Sequence, residues 1–361
     1  MKYKPLLLSC LLLASCGGSA QSSTLAVQSS EKAIGSSAAQ TSESEAKPIA
    51  SSSIEENTQE SEKSAEESQQ AYALNLKVAS PAGAPSVALY RHIKESEDKL
   101  EINADPTAVV AYLSANSGKD IVIAPTNAGL SAIAKKGAPF KIAATLTFGN
   151  FYLASTGNDE NKTLDPDDYV VAFQKNNVPD KIFSYVYSDL TNVHYVNAAT
   201  DAAAALISKK NVSDDNADVD YVLMAEPALT NALSKNPDAS QYTDIQAEFN
   251  KKSGGMDITQ ASIFVANSAE KTKVDAFLSS IKADVASFLD TPSVIDSFIE
   301  GMDASVLQSK FSSPVAAIKK LTSEGNRMGL GYKEASSNKE AVKTFASLFG
   351  ITDIADEVFY Q

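Results

Sequence analysis

The chain has 361 residues, room for two ordinary domains or for one with appendages, and a formal net charge of −14. That sign excludes a nucleic-acid binder that works by neutralising phosphates. Both cysteines, Cys10 and Cys16, lie at the extreme N-terminus, and His92 and His194 are the only histidines. The remainder therefore has no zinc-thiolate site, disulfide framework, cysteine nucleophile or histidine-rich metal centre, and no cofactor is expected.

Residues 1–15 read as a secretory signal. Lys2 and Lys4 precede an apolar run over residues 6–13, too short to span a bilayer, where about twenty residues are needed. The run ends in Leu13-Ala14-Ser15-Cys16, which resembles the bacterial lipobox and implies cleavage before Cys16 and lipidation of its sulfur. The expected location is the extracytoplasmic face of the cell membrane, held there by lipid. Residues 16–71 then form a tether. Residues 17–71 contain fifteen Ser, nine Glu and three Lys, with no aromatic residue, and bury too little apolar surface to offset the entropy of ordering.

Alternating strands and helices follow. Residues 74–79 alternate as a strand and run into Gly83-Ala84-Pro85, after which Val87, Tyr90 and Ile93 share a helical face. Residues 100–103 form a strand, and Asp105-Pro106 reads as a helix N-cap with the first helical residue. Residues 121–124 are a continuous apolar strand leading through Thr126-Asn127 into a helix closed by Gly137. Residues 140–148 continue as a strand, interrupted at Gly149-Asn150 before another over 151–154.

A second set comprises strands at 169–173, 193–196 and 221–224, with helices starting near Asn176-Asn177 and Ala199. The strand at 262–266 is expected to return to the first lobe, and the chain beyond it to be helical. The fold class is α/β: two lobes, each a mainly parallel sheet flanked by helices, hinged by two crossovers. Lobe 1 is expected over 72–155 plus 259–361, and lobe 2 over 156–258.

Asp120-Ile121-Val122-Ile123-Ala124-Pro125-Thr126-Asn127-Ala128, Lys136-Gly137-Ala138-Pro139-Phe140-Lys141 and Thr147-Phe148-Gly149-Asn150-Phe151-Tyr152-Leu153 together resemble the first lobe of a type-2 periplasmic binding protein. The likeness is to the nitrate/sulfonate/thiamine-precursor branch of ABC-transporter substrate-binding lipoproteins. Pro81-Ala82-Gly83-Ala84-Pro85, Ala225-Glu226-Pro227-Ala228 and Gln260-Ala261-Ser262-Ile263-Phe264-Val265 are similar to loops and the return strand of that branch. The resemblance implies two lobes, a cleft and capture of a small solute for an ABC permease and its ATPase; a monomer is expected.

In open α/β sheets, ligands sit beyond the carboxyl ends of strands, where helices begin. Those junctions supply the candidate ligand-binding residues: Gly83, Ala84, Pro85, Thr126, Asn127, Phe148, Gly149, Asn150, Asn176, Glu226 and Gln260. Small residues let a ligand approach the backbone, and helix N-termini add oriented donors. Glu226 at a helix start reads either as a response to the helix dipole alone or as an acceptor for a donor-bearing ligand such as an amine or aminopyrimidine, and Gln260 suits a hinge.

Arg91 and Arg327 are the only arginines, and neither falls in an expected cleft loop. Arg91 reads as a surface residue, Arg327 as a partner for the C-terminal helices. Without a bidentate guanidinium for an anion, the ligand is expected to be a neutral or cationic heterocycle or amine. No catalytic motif is present, so no enzyme is expected. The run Asp214-Asp215-Asn216-Ala217-Asp218-Val219-Asp220 lacks the glycine and the final glutamate of a calcium loop and reads as a solvated turn. The competing function is a surface adhesin or sensor co-receptor that keeps the fold without transport.

Overall fold

Two mixed β-sheets, one of six strands and one of five, organise the chain. The computed structural model describes residues 74–158, 163–173 and 175–361, all within one compact unit. The signal, Cys16 and the tether lie outside the described residues. No helix among those described is long and apolar enough to cross a membrane.

The first sheet contains β1 (Val78–Pro81), β2 (Leu100–Asn103), β3 (Ile121–Pro125) and β4 (Phe140–Thr147), joined by β10 (Ala261–Ala266) and β11 (Leu330–Glu334), in the order β11-β4-β10-β3-β1-β2. Local chemistry starts and stops its helices as expected. α1 is Ala84–Val87. Asp105 accepts from the Thr107 N–H and caps α2 (Pro106–Val110), and Gly137, at φ 65, ends α3 (Thr126–Lys136). Ile121 and Ile123 pack into one buried layer while Val122 and Ala124 pack into another, so β3 is covered on both faces.

The second sheet runs β7 (Val193–Val196), β6 (Val170–Phe173), β8 (Tyr221–Ala225), β5 (Phe151–Ser155), β9 (Ser240–Asp244). Its helices are α4 (Val178–Val186), α5 (Ala199–Ser208), α6 (Ala228–Leu233) and α7 (Ile245–Lys252). β5 pairs antiparallel with both β8 and β9, so it belongs to this sheet and the expected lobe boundary at 155 moves back to residues 148–150. β9 was not foreseen because Ser240-Gln241-Tyr242-Thr243-Asp244 carries almost no apolar character; pairing alone makes it a strand.

β10 does return to the first sheet, where it lies antiparallel between β3 and β4. The C-terminal region contains α8 (Lys271–Asp290), α9 (Asp296–Ile299), α10 (Ala304–Phe311), α11 (Val315–Ser323) and α12 (Lys339–Ser347). It is not wholly helical: β11 adds an edge strand to β4. Val342 and Ala346 of α12 pack into the first lobe's core while Phe345 packs into the second's, so this helix clamps both.

Candidate functional site

Two adjoining cavities of about 590 and 250 Å³ lie where the chain passes between the sheets. They share Pro106, Pro125, Asn150, Val178 and Gln260 as walls. The larger is lined mainly by apolar side chains, among them Phe173, Leu223, Met224 and Ala228. The smaller is lined by Gly83, Ala84 and Pro85 from the first lobe, Thr147, Glu226 and Ser312. Walls from both sheets and from the crossovers meet here.

The crossovers are tied side by side. The Gln260 N–H donates to the Thr147 carbonyl at 2.9 Å and the Phe148 N–H to the Gly329 carbonyl at 2.8 Å. Backbone approach is so close that a Cβ on Gly329, at φ 62, would come 1.8 Å from the Gly149 oxygen. Asn150 is held from both directions: its Nδ2 donates to the Glu226 carbonyl at 2.6 Å, and the Glu226 N–H donates to the Asn150 carbonyl at 2.9 Å.

Six of the eleven expected residues therefore line the cavities: Gly83, Ala84, Pro85, Asn150, Glu226 and Gln260. Five do not. Thr126 is fully buried, its Oγ1 2.7 Å from the Ser262 Oγ and its N–H donating to the Gln260 carbonyl, so it fastens the return strand. Asn127 lies one residue further into α3 and its Oδ1 is buried without a partner outside both cavities. Phe148 turns toward β11: its ring blocks a Cβ at Gly331, and the Lys333 Nζ lies 5.6 Å from its centroid. Gly149 is enclosed by Gln246 and Gly329. Asn176, at φ 67, offers its N–H to Asp180, whereas its neighbour Asn177 caps α4 and lines the larger cavity.

Glu226 reaches the wall but not as a free acceptor. Its carboxylate has no exposed surface and pairs with Arg327, while the Thr230 N–H and hydroxyl donate to it at 3.0 and 2.9 Å. Thus Arg327, which leaves the first lobe just before β11, pairs with the second lobe and not with the C-terminal helices. Its guanidinium also lies 5.1 Å from the Tyr152 ring centroid. Burial, assisted by Asp244, pushes the Tyr152 hydroxyl up to about 12.

Pro106, Pro125, Thr147, Asn177 and Val178 were missed as wall residues. The signal was present, since Asp105-Pro106 and Asn177-Val178-Pro179 both spell a helix start after a strand. Away from the cavities, His194, Asp214 and Asp215 offer ligand atoms within 4.8 Å of one another. Asp215 there receives the Tyr169 hydroxyl and the Ala217 N–H, and the His194 ring stacks 3.9 Å from that of Tyr169.

No protein-family model and no curated protein matches the chain. Solved structures do match its fold. One described as an ABC transporter from Parabacteroides distasonis aligns over 79% of this chain and 95% of its own, with 18% identity and a TM-score of 0.58. The periplasmic aliphatic sulphonate binding protein of Escherichia coli covers 79% and 92%, with 14% identity and a TM-score of 0.54. The ligand-binding component of an ABC-type import system from Staphylococcus aureus, solved with zinc bound, covers 79% and 96%, with 12% identity and a TM-score of 0.53. The chain has the two-lobed α/β fold of the periplasmic substrate-binding proteins.

Proposed function

We propose that this chain, built on that fold, is the extracytoplasmic solute-binding component of an ABC importer. It captures a small molecule between its lobes and presents it to a permease driven by an ATPase, acting as a monomer without enzymatic activity. A lipid on Cys16 holds it at the membrane, with the tether giving the body room to move. The observation that carries this reading is the pair of joined cavities walled by both sheets. When lobes close on a solute, water leaves and each hydrogen bond gains strength. Among the described residues no cationic side chain lines the walls and Glu226 is already paired with Arg327, which supports the neutral ligand over the cationic alternative.

A thermal-shift screen of metabolite-sized molecules against the full chain tests the proposal. Free ligand at 100-fold above its Kd adds about 2.7 kcal/mol of stability, readily seen as a higher Tm. If no small molecule raises the Tm while the unliganded chain binds a protein partner, the adhesin or co-receptor reading takes its place.

A further inference from the structure

Two residues that line the smaller cavity each carry a buried polar atom that the protein leaves unsatisfied. Thr147 is 2% exposed, and its Oγ1 is buried with no hydrogen-bond partner. Asn150 Oδ1 is buried and unpartnered as well. The orientation of that amide is fixed, because its other end must be the nitrogen that donates to the Glu226 carbonyl. A buried oxygen left without a donor is costly, and here two such oxygens belong to residues of one cavity wall.

Charge recognition is missing from both chambers. Among the described residues, no Lys, Arg or His lines either one. Pro85, Pro106 and Pro179 stand in the first turns of α1, α2 and α4, deleting backbone donors an anion would use. The acidic walls are Glu226, engaged by Arg327 and Thr230, and Asp105, whose Oδ1 accepts from the Thr107 N–H at the rim. An anion entering the cavity would lose its water and gain no counter-charge, and a cation would meet only the solvent-exposed Asp105 carboxylate, since Glu226 is already paired.

We infer that the site takes an uncharged molecule, its apolar body in the larger chamber and an N–H or O–H group directed at Asn150 Oδ1 and Thr147 Oγ1 in the smaller one. The inference rests on the capture reading above and narrows its ligand class. Asn150 Oδ1 can only accept, so the ligand must donate; the Thr147 hydroxyl can do either.

Calorimetric titration of the full chain with four probes on one ring separates the possibilities: nicotinamide, N,N-dimethylnicotinamide, pyridine-3-sulfonate and 3-picolylamine. Nicotinamide is expected to bind at least ~10-fold tighter than the other three, the step that one neutral hydrogen bond supplies. Thr147→Val should weaken it ~10-fold while leaving the Tm of the free chain no lower, because it removes a hydroxyl that has no partner. Mass spectrometry of the natively purified chain identifies any co-purifying small molecule. A preference for the sulfonate or the ammonium, or a bound native ligand carrying net charge, overturns the ligand class and leaves capture standing. No probe bound and no native ligand found overturns capture, and this inference with it.

Discussion

The two arginines occupy matched surroundings with different consequences. Arg91 pairs with Asp284 of α8 and lies 4.5 Å from the Phe298 centroid, all inside the first lobe. Arg327 pairs with Glu226 across the lobes and lies beside Tyr152. The expectation that Arg91 sits on the surface fails, because its side chain is only 15% exposed and is held by the buried Asp284 carboxylate. One pair thus stabilises a lobe, and the other fixes how two lobes meet. Neither guanidinium remains for an anionic ligand, which links the interior electrostatics to cavity walls that, among the described residues, hold no cation.

Breaking the bridging pair should have the largest effect. Arg327→Met leaves the Glu226 carboxylate buried without its cation and should cost about 3–5 kcal/mol in urea unfolding. Adding Glu226→Gln should recover most of that loss. Failure to recover it would show that Arg327 acts through packing on Tyr152 and not through charge.

Arg91→Met should cost about 3 kcal/mol at neutral pH and less toward pH 4, because burial already raises the Asp284 carboxyl and Arg91 opposes that rise. Without Arg91 the folded chain holds a proton on Asp284 that the unfolded chain releases in the ordinary carboxylate range. Stability then falls as pH rises until the folded carboxyl also ionises. Unfolding measured from pH 4 to 7 should show the deficit widening; a constant deficit would assign the loss to packing.

Tyr152→Phe sharpens the same comparison at alkaline pH. The unfolded tyrosine ionises near 10 while the folded one holds its proton to about 12, so the wild-type chain loses stability across that window. The variant should lose between about 2 and 3 kcal/mol less there. The smallest effect belongs to a local cap: Asp105→Ala should cost about 1 kcal/mol of thermal stability and leave both ion pairs intact.

Much of the architecture was legible because its signals are short-range. Asp105 caps α2 and Asn177 caps α4 through bonds spanning two and three residues, and Gly137 closes α3 with its own backbone. The apolar runs of β3 and β10 announce strands buried on both faces. The same junction rule brought Gly83, Ala84, Pro85, Asn150 and Gln260 to the cavity walls. It misplaced Thr126, Phe148 and Asn176 because a strand end has several neighbours, and only the register decides which one faces inward. Asn177 replaces Asn176 by one position, the difference between a left-handed residue before the cap and the cap itself.

The amino-acid sequence by itself determined where the apolar strands and the capped helices lie, the two-lobed α/β class, and the absence of thiolate and histidine-rich chemistry beyond the N-terminus. Each of these depends on composition or on residues a few positions apart. Only the tertiary structure decided that β5 joins the second sheet, that a polar segment becomes β9, and that Arg327 neutralises Glu226 across the lobes. Those outcomes depend on pairing between segments far apart in the chain, where hydrogen-bond satisfaction and charge burial select among partners that look equivalent in sequence.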